Sequence, residues 1–178
     1  MPPAVVRSRR PAATFAVLAA AALQGCSIDS KLPEYTDPAT LTYATSTGVT
    51  SIAAMTRVNA QVYTQDITAG TGRTVVAGDS IATYYSGRLS GGYQFDSRAR
   101  PSTPYIAVLD TTDLVRGVIK GWINGIAGMK VGGTRRIVIG PESAYRFSTV
   151  RDEFNTVIIP PNSVLVFEVE VTDAAPRQ

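Results

Sequence analysis

Few kinds of side chain in this sequence could do bond-making chemistry. Among its 178 residues there is no histidine, and there is a single cysteine, Cys26. The first fact removes His-based triads, His-dependent zinc sites and the usual proton shuttle. The second forbids an intrachain disulfide. Asp96 and Glu142 are not read as an acid/base pair. Gly70-Thr71-Gly72-Arg73 reads as a turn rather than a phosphate loop, because neither a Lys-Ser/Thr pair nor a GxGxxG pattern follows it. What remains is a series of aromatic and aliphatic residues with a few polar ones among them: Tyr85, Phe95-Asp96, Val118-Ile119, Trp122, Tyr145, Ile158-Ile159-Pro160-Pro161 and Phe167. Taken singly they are bland. Trp122 alone is a core residue, Asp96 alone a turn residue, and 158–161 alone a hydrophobic edge segment ended by prolines.

The elements that must position these residues are mostly strands. Val62 to Ile67 alternates and ends at Gly70-Thr71-Gly72. Asp79 to Ser86 reads as a second strand closed by Gly87, and Tyr93 to Asp96 follows the bend at Gly91-Gly92. Tyr105 to Leu109 extends after Pro104, and Thr134 to Ile139 runs between Gly132-Gly133 and Gly140-Pro141. Val164 to Thr172 alternates most clearly, with Leu165, Phe167, Val169 and Val171 on one face and Val166, Glu168 and Glu170 on the other. That pattern predicts an antiparallel sheet with one covered face. The cover is short: Val118, Ile119, Trp122, Ile123 and Ile126 have helical spacing, with Lys120 and Asn124 opposite. Gly121 and Gly125 weaken this helix intrinsically but permit close approach to the sheet. The expected fold is α+β, a twisted antiparallel β-sheet wrapped around one short α-helix.

Taken together and in order, the residues from Asp79 to Val171 resemble the FKBP-type peptidyl-prolyl cis-trans isomerases. The resemblance implies that fold and a reaction that rotates X-Pro peptide bonds, with no cofactor and no metal. It implies that Trp122 forms a pocket floor and that Tyr85, Phe95, Tyr105, Val118, Ile119, Ile158 and Phe167 form walls. Asp96 matches a carboxylate that holds Tyr85, while the Ile119 N–H and the Tyr145 hydroxyl match groups that bind substrate carbonyls. Tyr85, Asp96 and Tyr145 are thus the catalytic candidates. The implied partners are proline-containing polypeptides and macrolide inhibitors.

The sequence departs from the family pattern in places. Leu109 to Val118 is a longer connection into the helix, and Ala107 stands where an aromatic is frequent. Tyr145 is followed by Arg146 where glycine is usual, and the loop 146–157 is extended. These changes leave two readings open, an isomerase and a non-catalytic chaperone or binding module.

The N-terminus reads differently from the rest. Arg7-Ser8-Arg9-Arg10 followed by the apolar run Thr14–Leu23 predicts a signal peptide over residues 1–25. The apolar run is short of the about 20 residues a spanning helix needs. Leu23-Gln24-Gly25-Cys26 is similar to a bacterial lipobox, which implies acylation of the Cys26 thiol; ordinary cleavage near Ala20–Ala22 is the alternative. Ser27 after the cysteine resembles the class sorted to the outer membrane, giving an expected location in the cell envelope facing the periplasm. Residues 26–57 are expected to be mainly a tether, with Leu41–Ala44 and Val49–Ile52 as segments that could add a strand or turn, and 58–178 the isomerase domain. The pI of about 9.2 does not signal nucleic-acid binding. Without the three leader arginines, the 14 remaining Lys and Arg balance 14 Asp and Glu.

Overall fold

Alternation of apolar residues along the strands decides the architecture. The computed structural model describes residues 34–177; the expected signal segment, Cys26 and the first part of the tether lie outside the described residues. The strands are β1 (Thr56–Asn59), β2 (Val62–Thr68), β3 (Ser80–Leu89), β4 (Gln94–Arg98), β5 (Tyr105–Val108), β6 (Thr134–Ile139), β7 (Val150–Arg151), β8 (Val157–Ile159) and β9 (Leu165–Ala175), and the helix is α1 (Lys120–Ile126). The main sheet has seven strands in the order β1-β2-β6-β9-β3-β4, with β5 also pairing with β3; β7 and β8 form a separate ribbon. Every strand pairing is antiparallel. No helix among the described residues is long and apolar enough to cross a membrane.

On one face of the sheet, Leu165, Phe167, Val169 and Val171 of β9 join Val62, Ile81, Ile137 and Ile139 around Trp122 and Ile126 of α1. The helix lies close because Gly121 and Gly125 face the sheet. A Cβ at either position would run into Ile139 or Ile137. The last turn of the helix is held from the sheet by Arg135. Its Nη1 donates to the Gly125 carbonyl at 2.9 Å, while Nε and Nη2 grip Asp66 at 2.5 and 3.1 Å. A cation there complements the negative end of the helix.

Three sequence expectations change. Val118 and Ile119 lie ahead of α1, and Ile119 is its extended N-cap at φ −61°, ψ 151°. Gly87 does not close β3 but lies inside it, paired with Asp96 on one side and Phe167 on the other. The third concerns the other face of the sheet, which is also covered. Val49 and Met55, with Leu41, Tyr43 and Ile52, pack there on Tyr63, Val138, Val164 and Val166. Of the expected tether, 41–55 is therefore part of the packed domain. It holds three single-turn 3-10 segments, at Pro38–Thr40, Thr45–Thr47 and Ile52–Ala54, rather than a strand. The outward Val166, on the same face as Glu168 and Glu170, was the signal in the sequence, since an apolar residue on a polar face needs a cover.

Just ahead of β3, Asp79 is a buried carboxylate. Its oxygens accept from Arg73 at 2.6 and 2.9 Å and from the Val76 N–H at 2.8 Å. The Arg73 hydrogen bonds hold its pKa below the usual carboxylate range, against the opposing effect of burial. A folded-state pKa below the unfolded value contributes stability that is present above the unfolded pKa, about 3.9. That stability is lost as pH falls through the lowered value. We therefore expect a thermal midpoint that falls on acidification below about pH 4, and an Asp79→Asn variant in which that part of the acid dependence is gone. An unchanged acid limb in the variant would assign the dependence to other groups.

Candidate functional site

A concavity of about 470 Å³ opens between α1, the near ends of β3 to β5, and the segments before and after Tyr145. Trp122 closes its base. It is 4% exposed, being held under the sheet by the helix face that carries Gly121 and Gly125. Tyr85, Phe167 and Tyr105 meet its ring edge-on, at centroid distances of 5.2, 5.4 and 6.4 Å. Phe95 meets Phe167 the same way at 5.6 Å. Edge-to-face pairs of this kind each contribute about 0.5–1.5 kcal/mol beyond their buried area, so the walls fix one another. Gly87 makes room for them: a Cβ there would stand 2.8 Å from both Phe95 and Phe167 ring atoms.

The lip depends on a bulge. Gly87 pairs with Asp96 and Arg88 with Gln94, which leaves Phe95 as an extra residue in β4. Consecutive strand residues ordinarily face opposite sides. A bulge re-aims one of them, and both Phe95 and Asp96 border the cavity. The Tyr85 hydroxyl donates to Asp96 Oδ2 at 2.7 Å. Burial first, and this carboxylate second, push the Tyr85 phenol well above its ordinary pKa. Burial also raises the Tyr145 phenol, with a further push from Asp96 and Tyr105.

Two donors reach the cavity without a partner among the described residues: the backbone N–H of Ile119, on the extended approach to α1, and the Tyr145 hydroxyl. Tyr145 follows the 3-10 turn Pro141–Ser143. After it, Arg146 takes φ +56°, the left-handed region for which the sequence pattern has glycine. The turn is kept despite the side chain. Arg146 N–H donates to the Pro141 carbonyl at 2.8 Å, and Ser148 N–H to the Tyr145 carbonyl at 2.9 Å.

Of the expected wall residues, Tyr85, Phe95, Tyr105, Val118, Ile119, Trp122 and Phe167 line the cavity together with Asp96 and Tyr145. Ile158 does not. It sits in β8, which pairs with β7, and is half-buried against the core. Sequence reasoning missed Thr111, Asp113, Gly117, Lys120, Glu142, Ala144 and Arg146, which complete the rim. Asp113 is fixed there by backbone N–H groups of Arg116 and Val115, which hold its pKa low. The longer 109–118 connection, noted as a departure, was the available signal for that side of the rim.

Comparison with known proteins agrees with this geometry. The family model for the FKBP-type peptidyl-prolyl cis-trans isomerase matches residues 71–172, more than half of the chain. The chain belongs to that family. Among relatives, a probable FKBP-type peptidyl-prolyl cis-trans isomerase of Haemophilus influenzae is 38% identical over 109 residues, covering 61% of this chain and 41% of the relative. An FK506-binding protein of Neisseria meningitidis serogroup B is 36% identical over 107 residues, covering 60% of this chain and 90% of the relative. Among solved structures, AtFKBP13 superimposes with a TM-score of 0.55 at 32% identity, over 64% of this chain and 93% of that one. The chain spans well under two thirds of several curated relatives, including the Haemophilus protein. What it shares with them is the FKBP domain, and the match begins after the packed 41–55 segment that covers the outer face.

Proposed function

We propose that this FKBP domain is a peptidyl-prolyl cis-trans isomerase that acts on proline-containing polypeptides during their folding. The observation that carries the reading is the ring-lined cavity over Trp122, with the Tyr85–Asp96 pair on one side and two unpartnered donors, Ile119 N–H and Tyr145 hydroxyl, at its edge. An X-Pro bond must cross a barrier of about 18–20 kcal/mol, because rotation breaks amide resonance. The twisted amide is less charge-separated than the planar one, so an apolar cavity penalises it less than the ground state. The two donors align the flanking carbonyls, while Asp96 holds the Tyr85 ring in place at the wall. A ten-thousandfold gain on bound substrate needs only about 5–6 kcal/mol, within reach of ring contacts and one or two hydrogen bonds.

A non-catalytic binding module is the competing reading, and Arg146 was the main residue in its favour. Its left-handed conformation keeps the turn that a glycine would make. The test is a protease-coupled assay with a Leu-Pro or Phe-Pro peptide.

With no histidine in the chain and the Tyr85 and Tyr145 phenols pushed above their ordinary pKa, the proposed rotation involves no proton transfer over neutral pH. We expect kcat/KM to be nearly flat from about pH 5.5 to 8.5, whereas general acid–base catalysis gives a bell. A bell-shaped profile would sink the mechanism.

The same cavity is proposed to take macrolides of the FK506 type, the ligand in the name of the Neisseria relative. We also propose that the chain is anchored in the bacterial envelope, in the outer membrane facing the periplasm, through acylated Cys26. The support is the basic leader, the apolar run and Leu23-Gln24-Gly25-Cys26. Intact mass of protein isolated from envelopes should show residues 1–25 absent and acyl mass on Cys26. An unmodified thiol would remove the anchor.

A further inference from the structure

Residues 34–36 lie against the turn that carries Tyr145, away from the sheet face they lead into. The Tyr35 ring stacks on Phe147 with centroids 4.9 Å apart and planes 18° from parallel. Thr36 donates twice to Asn162, from its N–H to Oδ1 at 3.0 Å and from its hydroxyl to the carbonyl at 3.2 Å. Asn162 Nδ2 returns a bond to the Glu34 carbonyl at 3.4 Å. The Asn162 N–H in turn donates to the Arg146 carbonyl at 2.7 Å. Further along the same segment, buried Pro38 packs where a Cβ on Gly140 would stand, 3.0 Å from its Cγ. The strap therefore touches the 140–147 turn at both ends.

Two non-glycine residues in this arrangement hold left-handed backbone, Arg146 at φ +56° and Asn162 at φ +58°, and the 2.7 Å bond joins them. Left-handed backbone is unfavourable for a side chain such as Arg, less so for Asn, and persists only where its surroundings over-determine it. For Arg146 the surroundings are Pro141 on one side and, on the other, Asn162 with the strap behind it. Tyr145 is the residue before Arg146, and its hydroxyl has no hydrogen bond among the described residues to hold it otherwise.

We propose that Tyr35, Thr36 and Asn162 are positioning residues for substrate. They clasp the Arg146 turn and so set where the Tyr145 hydroxyl stands in the cavity. This rests on the isomerase reading of that cavity. The clasp joins a segment ahead of the region matched by the family model, Tyr35 and Thr36, to Asn162 within that region and so to the substrate site. A hydroxyl displaced by an ångström no longer makes a good hydrogen bond, so the most that loss of the clasp can cost through this route is what removing the hydroxyl costs.

The test uses the full chain and a proline peptide. Tyr35→Ala removes the stack, and Asn162→Gly removes the amide while suiting the positive φ. Each should lower kcat/KM about two- to fivefold, chiefly by raising KM, with circular dichroism unchanged. Tyr35→Phe keeps the ring and should match wild type. In a Tyr145→Phe background, Tyr35→Ala should have no further effect, because the group it positions is gone. Unchanged kcat/KM in Tyr35→Ala with an active wild type overturns the clasp alone. So does a full, independent loss in the Tyr145→Phe background. An inactive wild type overturns the isomerase reading, and this proposal with it.

Discussion

Asp96→Val should lower kcat/KM about ten- to hundredfold while the domain stays folded. The carboxylate accepts from the Tyr85 hydroxyl at 2.7 Å and borders the cavity, yet Asp96 itself is exposed, so little packing depends on it. Hydrogen bonds to a charged group contribute about 1.5–3 kcal/mol. The variant also leaves a half-buried phenol to find water. Tyr145→Phe is the contrast. It removes one hydroxyl that has no protein partner and leaves the ring, so the cost is one substrate hydrogen bond, about 0.5–1.5 kcal/mol. The expected order is Asp96→Val worse than Tyr145→Phe. Circular dichroism and kcat/KM measured on both variants decide it, and the reverse order would move the polar work of the site away from the Tyr85–Asp96 pair.

Trp122→Ala should cost about 3–5 kcal/mol of stability, the range for deleting a buried large aromatic. The ring is nearly fully buried and is the shared edge-on partner of Tyr85, Tyr105 and Phe167. Its removal undoes the cavity walls together with the contact between α1 and the sheet. Trp122→Leu is the milder change, keeping an apolar floor of different shape. It should remain folded and lose affinity for a macrolide probe. Denaturant titration separates the two: a Trp122→Ala midpoint close to wild type would mean that the floor is not structural.

Much of this was legible from residue order. The alternation of Leu165, Phe167, Val169 and Val171 gave the covered face of β9, and Gly121 with Gly125 gave the close helix. The catalytic candidates and all walls but Ile158 meet around one cavity. What was not legible depends on pairing between distant segments. Ile158, expected as a wall residue, packs on the core from β8 and is not among the residues that border the cavity. The bulge that brings Phe95 and Asp96 to one side is a property of the β3–β4 register, which period-2 reasoning on β4 alone misses. Leu41–Ala44 and Val49–Ile52 were legible as segments that could add a strand or turn, but not what they cover, because their partners Val138, Val164 and Val166 lie far along the chain. Arg146 looked like a break in the pattern, but backbone hydrogen bonds on both sides hold it in the conformation glycine would take.

The decisive measurement is the rate of cis-to-trans exchange of a Leu-Pro or Phe-Pro peptide with the wild-type chain and with Asp96→Val beside it. Uncatalysed exchange takes tens to hundreds of seconds, so catalysis is directly visible against it. Acceleration by the wild type that falls at least about tenfold in folded Asp96→Val, as loss of a charge-assisted bond implies, is the expected result. A wild type that leaves the uncatalysed rate unchanged, or variants at Asp96 and Tyr145 that both match it, would contradict catalysis in this cavity and leave a binding module in its place.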